Sequence, residues 1–297
     1  MYKLLDANFS RLRKNAFFWI GILISIVLGV CLPTIAKGIS TTLVELTNGM
    51  ISGGSLVLSE SSLDYFFFTW ILFIVFYMAL FSSVFTGTEF GDGTMRNKIV
   101  AGHSRTEIYL SNFISSLVAG SIFYTVHMII ILAIGIPVTG GFQLFETREI
   151  VVYVISIYGI IIAFAGIFTL ISMTVNHQAL AVIMCICVVV MLLLIPIQQT
   201  GNLQWEQYWD EDMFVSGITY LAETENPMYV GGIRRIFSIF MLNFLPGGPL
   251  FQWYSFSWLL YDDNLYFYPI IMLAGAAFFA IVPTVVGLKL FSKKDLK

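Results

Sequence analysis

The sequence predicts an all-α integral membrane protein with six transmembrane helices. Two observations carry that reading. The chain is 58% hydrophobic and only 11% charged, where an ordinary globular chain has roughly 45–50% apolar and about 25% charged residues. It also holds six apolar runs at or near the length a helix needs to cross the hydrocarbon core, about 20 residues. Backbone N–H and C=O groups in lipid must be satisfied within their own segment, so these runs are helices.

Residues 1–16 precede the first run. Leu5, Phe9, Leu12 and Ala16 recur there at helical spacing, with Lys3, Arg11, Arg13 and Lys14 on the other faces. This is a basic amphipathic helix, suited to lying in the inner headgroup layer of a membrane. The next run, Phe17–Ala36, is longer than a secretory h-region, and Thr34-Ile35-Ala36 is a poor cleavage site, so it reads as a retained first span. The remaining spans are Tyr65–Thr86, Phe113–Val138, Ile150–Thr174, Ala179–Ile197 and Tyr268–Leu290, which makes 17–297 a single six-span domain.

The outer loops are unequal. Segments 37–64 and 198–267 are long, and 139–149 is short. Within the last long segment, Gln198–Asn226 is polar and acidic, with Trp205, Glu206, Trp209, Asp210, Glu211 and Asp212. Ile233–Leu260 is apolar again but is broken by Pro246-Gly247-Gly248-Pro249. Each half is about a dozen residues, too short to span and suited to a re-entrant or interfacial helical hairpin. The backbone at such a break must be buried in protein or face water.

Lysine and arginine set the orientation. With the N-terminus inside, Lys3, Arg11, Arg13, Lys14, Arg96, Lys98, Arg105, Lys289, Lys293, Lys294 and Lys297 fall on the inner side, and only Lys37, Arg148, Arg234 and Arg235 on the outer. Five of the acids lie inside and thirteen outside, leaving +6 against −9. The sequence therefore predicts a multi-pass plasma-membrane protein with both termini in the cytoplasm. Aromatic belts agree: Trp19 marks the inner end of the first span, Trp70 the outer end of the second, and Trp205, Trp209, Trp253 and Trp258 the outer region.

Several chemistries are absent. There is no G-x-x-x-x-G-K-[ST], so the chain binds no ATP through a P-loop, and no H-E-x-x-H. Cys31, Cys185 and Cys187 all lie in apolar runs and suggest neither a disulfide framework nor a metal site. No Asp or Glu falls inside a predicted span. That removes the carboxylates on which a proton- or sodium-driven carrier depends. His103 and His177 fall at cytoplasmic turns. The ionisable side chain deep in a span is His127, either a pathway group or a hydrogen-bonding contact between helices. No cofactor, metal or catalytic set is expected in this chain, and nothing in it points to nucleic acid.

The richest segment is the cytoplasmic loop 87–111. Gly91 and Gly93 break the second helix, Asp92 or Thr94 can cap a short helix running to Ala101, and Gly102 suits the left-handed position after it. Ser104-x-x-Glu107 is a capping box that starts the next helix. One side of the short helix can show Met95, Ile99 and Val100, and the other Arg96, Asn97 and Lys98. A short, partly apolar helix exposed there suits the docking of a cytosolic partner.

This loop resembles the permease subunits of type-2 ATP-binding-cassette exporters, which carry a pattern close to Gly-Thr-x-Arg-Asn-x-(apolar)-x-x-Gly-x-Ser-Arg between spans two and three. Gly93-Thr94, Arg96-Asn97, Gly102 and Ser104-Arg105 match it, with Glu89 upstream. The leader, the six spans and Asn243-Phe244-Leu245-Pro246-Gly247-Gly248 before the last span resemble the family as well. The resemblance implies a coupling helix that fits a groove on a separate ATPase, a role carried onto Gly93, Thr94, Met95, Arg96, Asn97, Lys98, Ile99, Val100 and Ala101, with Glu89 bracing the turn. It implies a partner permease chain, ATPase subunits that hold the ATP and Mg, and a pathway lined by spans one, two and five. The expected cargo is amphiphilic: a peptide, a drug or a lipid-like molecule. Two other readings stay open: a sensor or scaffold that binds an extracellular peptide, and an ion-coupled carrier resting on His127.

Overall fold

The structure, a computed structural model, describes residues 1–46, 63, 67, 71–142, 146–203, 207–215, 218–258 and 268–294. The described helices are α1 (Tyr2–Lys14), α2 (Ala16–Leu46), α3 (Ile71–Gly91), α4 (Thr94–Val100), α5 (Arg105–Thr139), α6 (Thr147–Thr174), α7 (Gln178–Leu203), α8 (Gly232–Phe244), α9 (Gly247–Trp258) and α10 (Pro269–Lys293). Six of them, α2, α3, α5, α6, α7 and α10, are long and apolar enough to cross a membrane. The protein is an all-α integral membrane protein, as the sequence predicts. The helices outrun their apolar runs: α2 has 31 residues, about 46 Å at 1.5 Å per residue, and α5 has 35. The predicted start of the second span at Tyr65, together with Trp70, Trp205 and 259–267, lies outside the described residues.

Local chemistry sets the boundaries. Asn15 separates α1 from α2, and its side-chain oxygen accepts from the N–H groups of Phe17 (2.8 Å) and Phe18 (3.3 Å), which would otherwise be unpaired at a helix start. The expected capping box opens α5: Glu107 N–H donates to Ser104 Oγ, and Ser104 N–H to the Glu107 carboxylate, each at 3.2 Å. Gly102 (φ 87°) follows α4 in the left-handed region, as expected. The start of α4 differs from expectation. Neither Asp92 nor Thr94 caps it; the cap is Gly93, itself left-handed at φ 68°.

At the centre of the bundle stand α3 and α6, the most buried spans. Around them α5 packs on α2, α10 on α6, and α7 on α3. The end that carries α1, α4, the start of α5, the end of α6 and the end of α10 is called basal here, and the other end distal. At the basal end α1 does not present the expected face. Leu4, Asn8 and Leu12 are the buried positions, Leu5 and Phe9 are half-buried, and Ala16 is exposed in α2. An asparagine in the middle of the buried stripe is what hid it from an apolar pattern.

At the distal end the segment read as polar loop holds a two-stranded antiparallel hairpin, β1 (Tyr208–Val215) and β2 (Ile218–Glu225), with Tyr208 opposite Glu225 and Val215 opposite Ile218. The N–H of Asn226 closes its base on the Gln207 carbonyl at 2.9 Å. Beyond it, α8 and α9 form the helical hairpin that the break at Pro246-Gly247-Gly248-Pro249 predicts. All four of those residues are buried in protein. A Cβ on Gly247 would lie 2.0 Å from the Leu192 carbonyl oxygen, near the middle of α7, and one on Gly275 of α10 would lie 2.0 Å from that of Phe244. The hairpin tip thus reaches the depth of mid-span, where its polar groups need partners from the protein. Gln252 Nε2 donates to the Leu242 carbonyl (3.1 Å), and Asn243 Oδ1 accepts from Tyr268 N–H (2.8 Å).

A Gly247→Ala substitution is therefore expected to force backbone apart and cost about 1–3 kcal/mol or more, read as a lowered thermal unfolding midpoint of the purified protein. Gly201→Ala, where added bulk meets open space, is the control and leaves the midpoint unchanged or raised.

Candidate functional site

The candidate site is the basal platform that carries α4. It is built around one carboxylate. Glu89 stands in the last turn of α3 and is only 1% exposed. Its Oε1 takes charge-assisted bonds from Arg11 of α1 and Lys98 of α4, and its Oε2 accepts from Asn112 Nδ2 of α5 at 3.1 Å. Lys98 Nζ also donates to Asn8 Oδ1 (3.0 Å), and Asn8 Nδ2 to Ser111 Oγ (3.2 Å). Arg11 donates a second bond to the Phe85 carbonyl (2.7 Å) and lies 3.7 Å from the centre of the Phe85 ring. One side chain thus gathers α1, α3, α4 and α5.

Two corrections follow. The sequence reading found no carboxylate within a span, because it ended the second span at Thr86; α3 runs on to Gly91 and buries Glu89. Glu89 is not poised to bind a coupling ion, since both of its oxygens are engaged and two cations neutralise it. Burial pulls the Arg11 guanidinium and the Lys98 ammonium below their ordinary values, and Glu89 opposes that loss. A buried charge is tolerable when it is paired and hydrogen-bonded in this way.

The second correction concerns the faces of α4. Met95 is 1% exposed and sits in a basal apolar cluster with Leu4, Ile108, Tyr109, Met173 and Phe291. Ile99 packs against the same cluster. Lys98 turns inward to Glu89, and Thr94 Oγ1 donates to the Glu89 carbonyl at 3.1 Å. The outward face is Arg96, Asn97, Val100 and Ala101, all exposed, with Val100 at 80%. So Met95 and Ile99 do not share an exposed apolar side with Val100, and Lys98 does not join Arg96 and Asn97.

The basal end of α10 is tied to the same platform. Arg105 at the start of α5 donates to the Phe291 carbonyl (2.8 Å) and to that of Lys294. Lys294 Nζ donates to the Met173 carbonyl at the end of α6 (2.9 Å) and stands 4.1 Å from the centre of the Phe90 ring. Burial lowers the Lys294 ammonium to about 8. Sequence reasoning missed this strap, because Arg105 and Lys294 are 189 residues apart.

The other named residues lie elsewhere. His127 is 1% exposed between α5 and α2, with Nδ1 3.4 Å from the Ser25 carbonyl and Nε2 without a hydrogen-bond partner. Pro246, Gly247, Gly248 and Pro249 form the hairpin tip at the distal end, remote from α4. Among the described residues no group of His, Cys, Asp and Glu could hold a metal ion.

The lock makes a sharp prediction. Glu89→Ala leaves two partly buried cations without their partner and is expected to cost up to about 3–5 kcal/mol. The triple variant Arg11→Met, Lys98→Met, Glu89→Leu, which removes every charge together, loses much less. Thermal unfolding of the purified variants distinguishes the two.

A family model described as ABC-2 type transporter matches residues 2–223, which include α1, every element of the platform up to the end of α6, and α7. No curated protein and no solved structure matches the chain. The chain belongs to the ABC-2 type transporter family, and is accordingly a multi-pass membrane protein, a permease component of an ABC transporter.

Proposed function

We propose that the chain is the permease subunit of an exporter, driven by a separate cytosolic ATPase that docks on the outward face of α4. The observation that carries this is the division of α4 into two faces. Its inner face is pinned by Glu89, Met95 and Lys98, and its outer face, Arg96, Asn97, Val100 and Ala101, is exposed and has no partner among the described residues. A helix held this firmly, yet exposed, suits the passing of force from a docked protein to the spans. In this reading Glu89, Thr94, Met95, Lys98 and Ile99 hold the coupling helix in place, Gly93 turns the chain into it, and Arg96 and Asn97 contact the ATPase. ATP and Mg are bound by that partner.

The excess of Lys and Arg on the basal side supports the reading that both termini and α4 face the cytoplasm. Six spans form half of a pathway, so a second permease chain, the same or different, completes it. The uncovered apolar surfaces of α2 and α7 support that expectation, since both are largely unburied within one chain. The cargo is amphiphilic: a peptide, a drug or a lipid-like molecule. An aromatic, amphipathic hairpin at the distal end and an acidic outer segment suit such a molecule, above all a cationic one.

The decisive variant is Arg96→Ala/Asn97→Ala in the purified complex with its ATPase. Loss of the substrate-stimulated part of ATP hydrolysis by about tenfold, the effect of about 1.4 kcal/mol at an interface, is expected. Full stimulation and unchanged assembly would refute the assignment of α4.

A further inference from the structure

We propose that the outward face of α1 binds anionic phospholipid headgroups through Lys3, Arg13 and Lys14, with Trp19 fixing the depth. The proposal rests on the chain's being a membrane protein and stands whether or not α4 receives an ATPase.

Three observations carry it. First, one side of α1 is turned into the protein. Leu4, Asn8 and Leu12 are buried, and Arg11 is spent on Glu89. With Leu4 and Leu12 covered and Leu5 and Phe9 half-buried, Tyr2 is the one large apolar side chain of α1 left exposed, so its remaining contact with the membrane is chiefly electrostatic. Second, the opposite side is cationic and unpaired. Lys3, Ser10 and Lys14 are spaced seven and four residues apart and so share one face, with Arg13 just round from it. Lys3, Arg13 and Lys14 are exposed, and none of them enters an ion pair among the described residues. Asp6 is the one acid of α1, so cations remain in excess.

Third, the cations stand at the level where headgroups lie. The Trp19 indole N–H donates to the Arg13 carbonyl at 2.8 Å, while the ring itself stays exposed. Directly beyond it, Ile20, Leu23, Ile24 and Val27 form an uncovered apolar stripe along α2, the surface that acyl chains would cover. Tryptophan favours the boundary between hydrocarbon and water. Its bond to Arg13 therefore places the carbonyl end of α1 at that boundary. A negative headgroup outside and Glu89 inside would then hold α1 from both faces. Lipid charge would in this way bear on the lock.

The test reconstitutes the full chain into vesicles of phosphatidylcholine mixed with phosphatidylglycerol. It then measures by native mass spectrometry which lipid stays bound after extraction. The wild type is expected to enrich phosphatidylglycerol, and enrichment falls about fivefold for each cation removed among Lys3→Gln, Arg13→Gln and Lys14→Gln. Raising the salt concentration weakens it as well. None of these residues belongs to the Glu89 lock, and an unchanged unfolding midpoint verifies that the variants fold. Equal retention of the two lipids by the wild type would overturn the proposal. So would enrichment that survives in the triple variant. If the triple variant keeps its enrichment but loses capture of an ATPase in lipid-free detergent, the face is a protein contact and the lipid assignment is wrong.

Discussion

The basal half of the structure depends on the burial of one carboxylate. Glu89 sits where α3 leaves the apolar run, sealed from solvent. An ion there must be compensated within hydrogen-bonding distance or it cannot stay charged. The compensation comes from three other segments: Arg11 from α1, Lys98 from α4 and Asn112 from α5. That requirement explains why α1 folds back under the bundle, although it could have lain free on a membrane. It also fixes the rotation of α4. Once Lys98 and Met95 point inward, Arg96, Asn97 and Val100 have only the outside left to them.

The distal half is held by different physics. There the contacts are backbone against backbone, at Gly247 on Leu192 and at Gly275 on Phe244, with Gln252 and Asn243 supplying the bonds that a broken helix leaves unmade. The two halves meet in α10. Arg105 and Lys294 fasten its basal end, and the close approach at Gly275 fastens its distal end to α8. Between these points it lies along α6, with Gly166 facing the Ala280 backbone closely enough that a Cβ would sit 2.9 Å from its carbonyl oxygen. A span clamped at both ends and along its length cannot slide freely past its neighbour.

What was legible in the sequence was what local chemistry decides. Apolar length revealed the spans, the Ser104–Glu107 pair marked the start of α5, Gly102 closed α4, and the Pro-Gly-Gly-Pro break announced the hairpin tip. What was hidden depended on partners far along the chain. Glu89 looked like a loop acid because two of its partners, Arg11 and Asn112, are 78 and 23 residues away. The buried side of α1 runs through Asn8, and an asparagine reads as a solvent position until its bonds to Lys98 and Ser111 are seen. In α4 the inward face mixes a methionine with a lysine, so apolarity could not choose it. The β-hairpin was masked by its acids: Asp210, Asp212, Glu223 and Glu225 dominate the composition, while the strand-forming Tyr208, Trp209, Phe214, Val215, Ile218 and Tyr220 are spread among them.

The lock has a mechanical consequence. Removing one partner of a buried ion pair costs about 3–5 kcal/mol, because the other is left charged and unpaired. Small displacements of α4 alone are therefore expensive, and α4 moves together with α1, the end of α3 and the start of α5. A push received by α4, on the function proposed above, is then shared by these four segments. The central span α3 meets α6 and α7 through apolar packing and neutral bonds, such as Ser83 Oγ to Cys185 Sγ at 3.2 Å. A neutral bond of this kind contributes about 1 kcal/mol. Because the hairpin tip rests on Leu192 of α7, a shift of α7 against α3 carries the tip with it. The basal lock and the contact of Gly247 with α7 thus join the platform to the distal hairpin through α3 and α7.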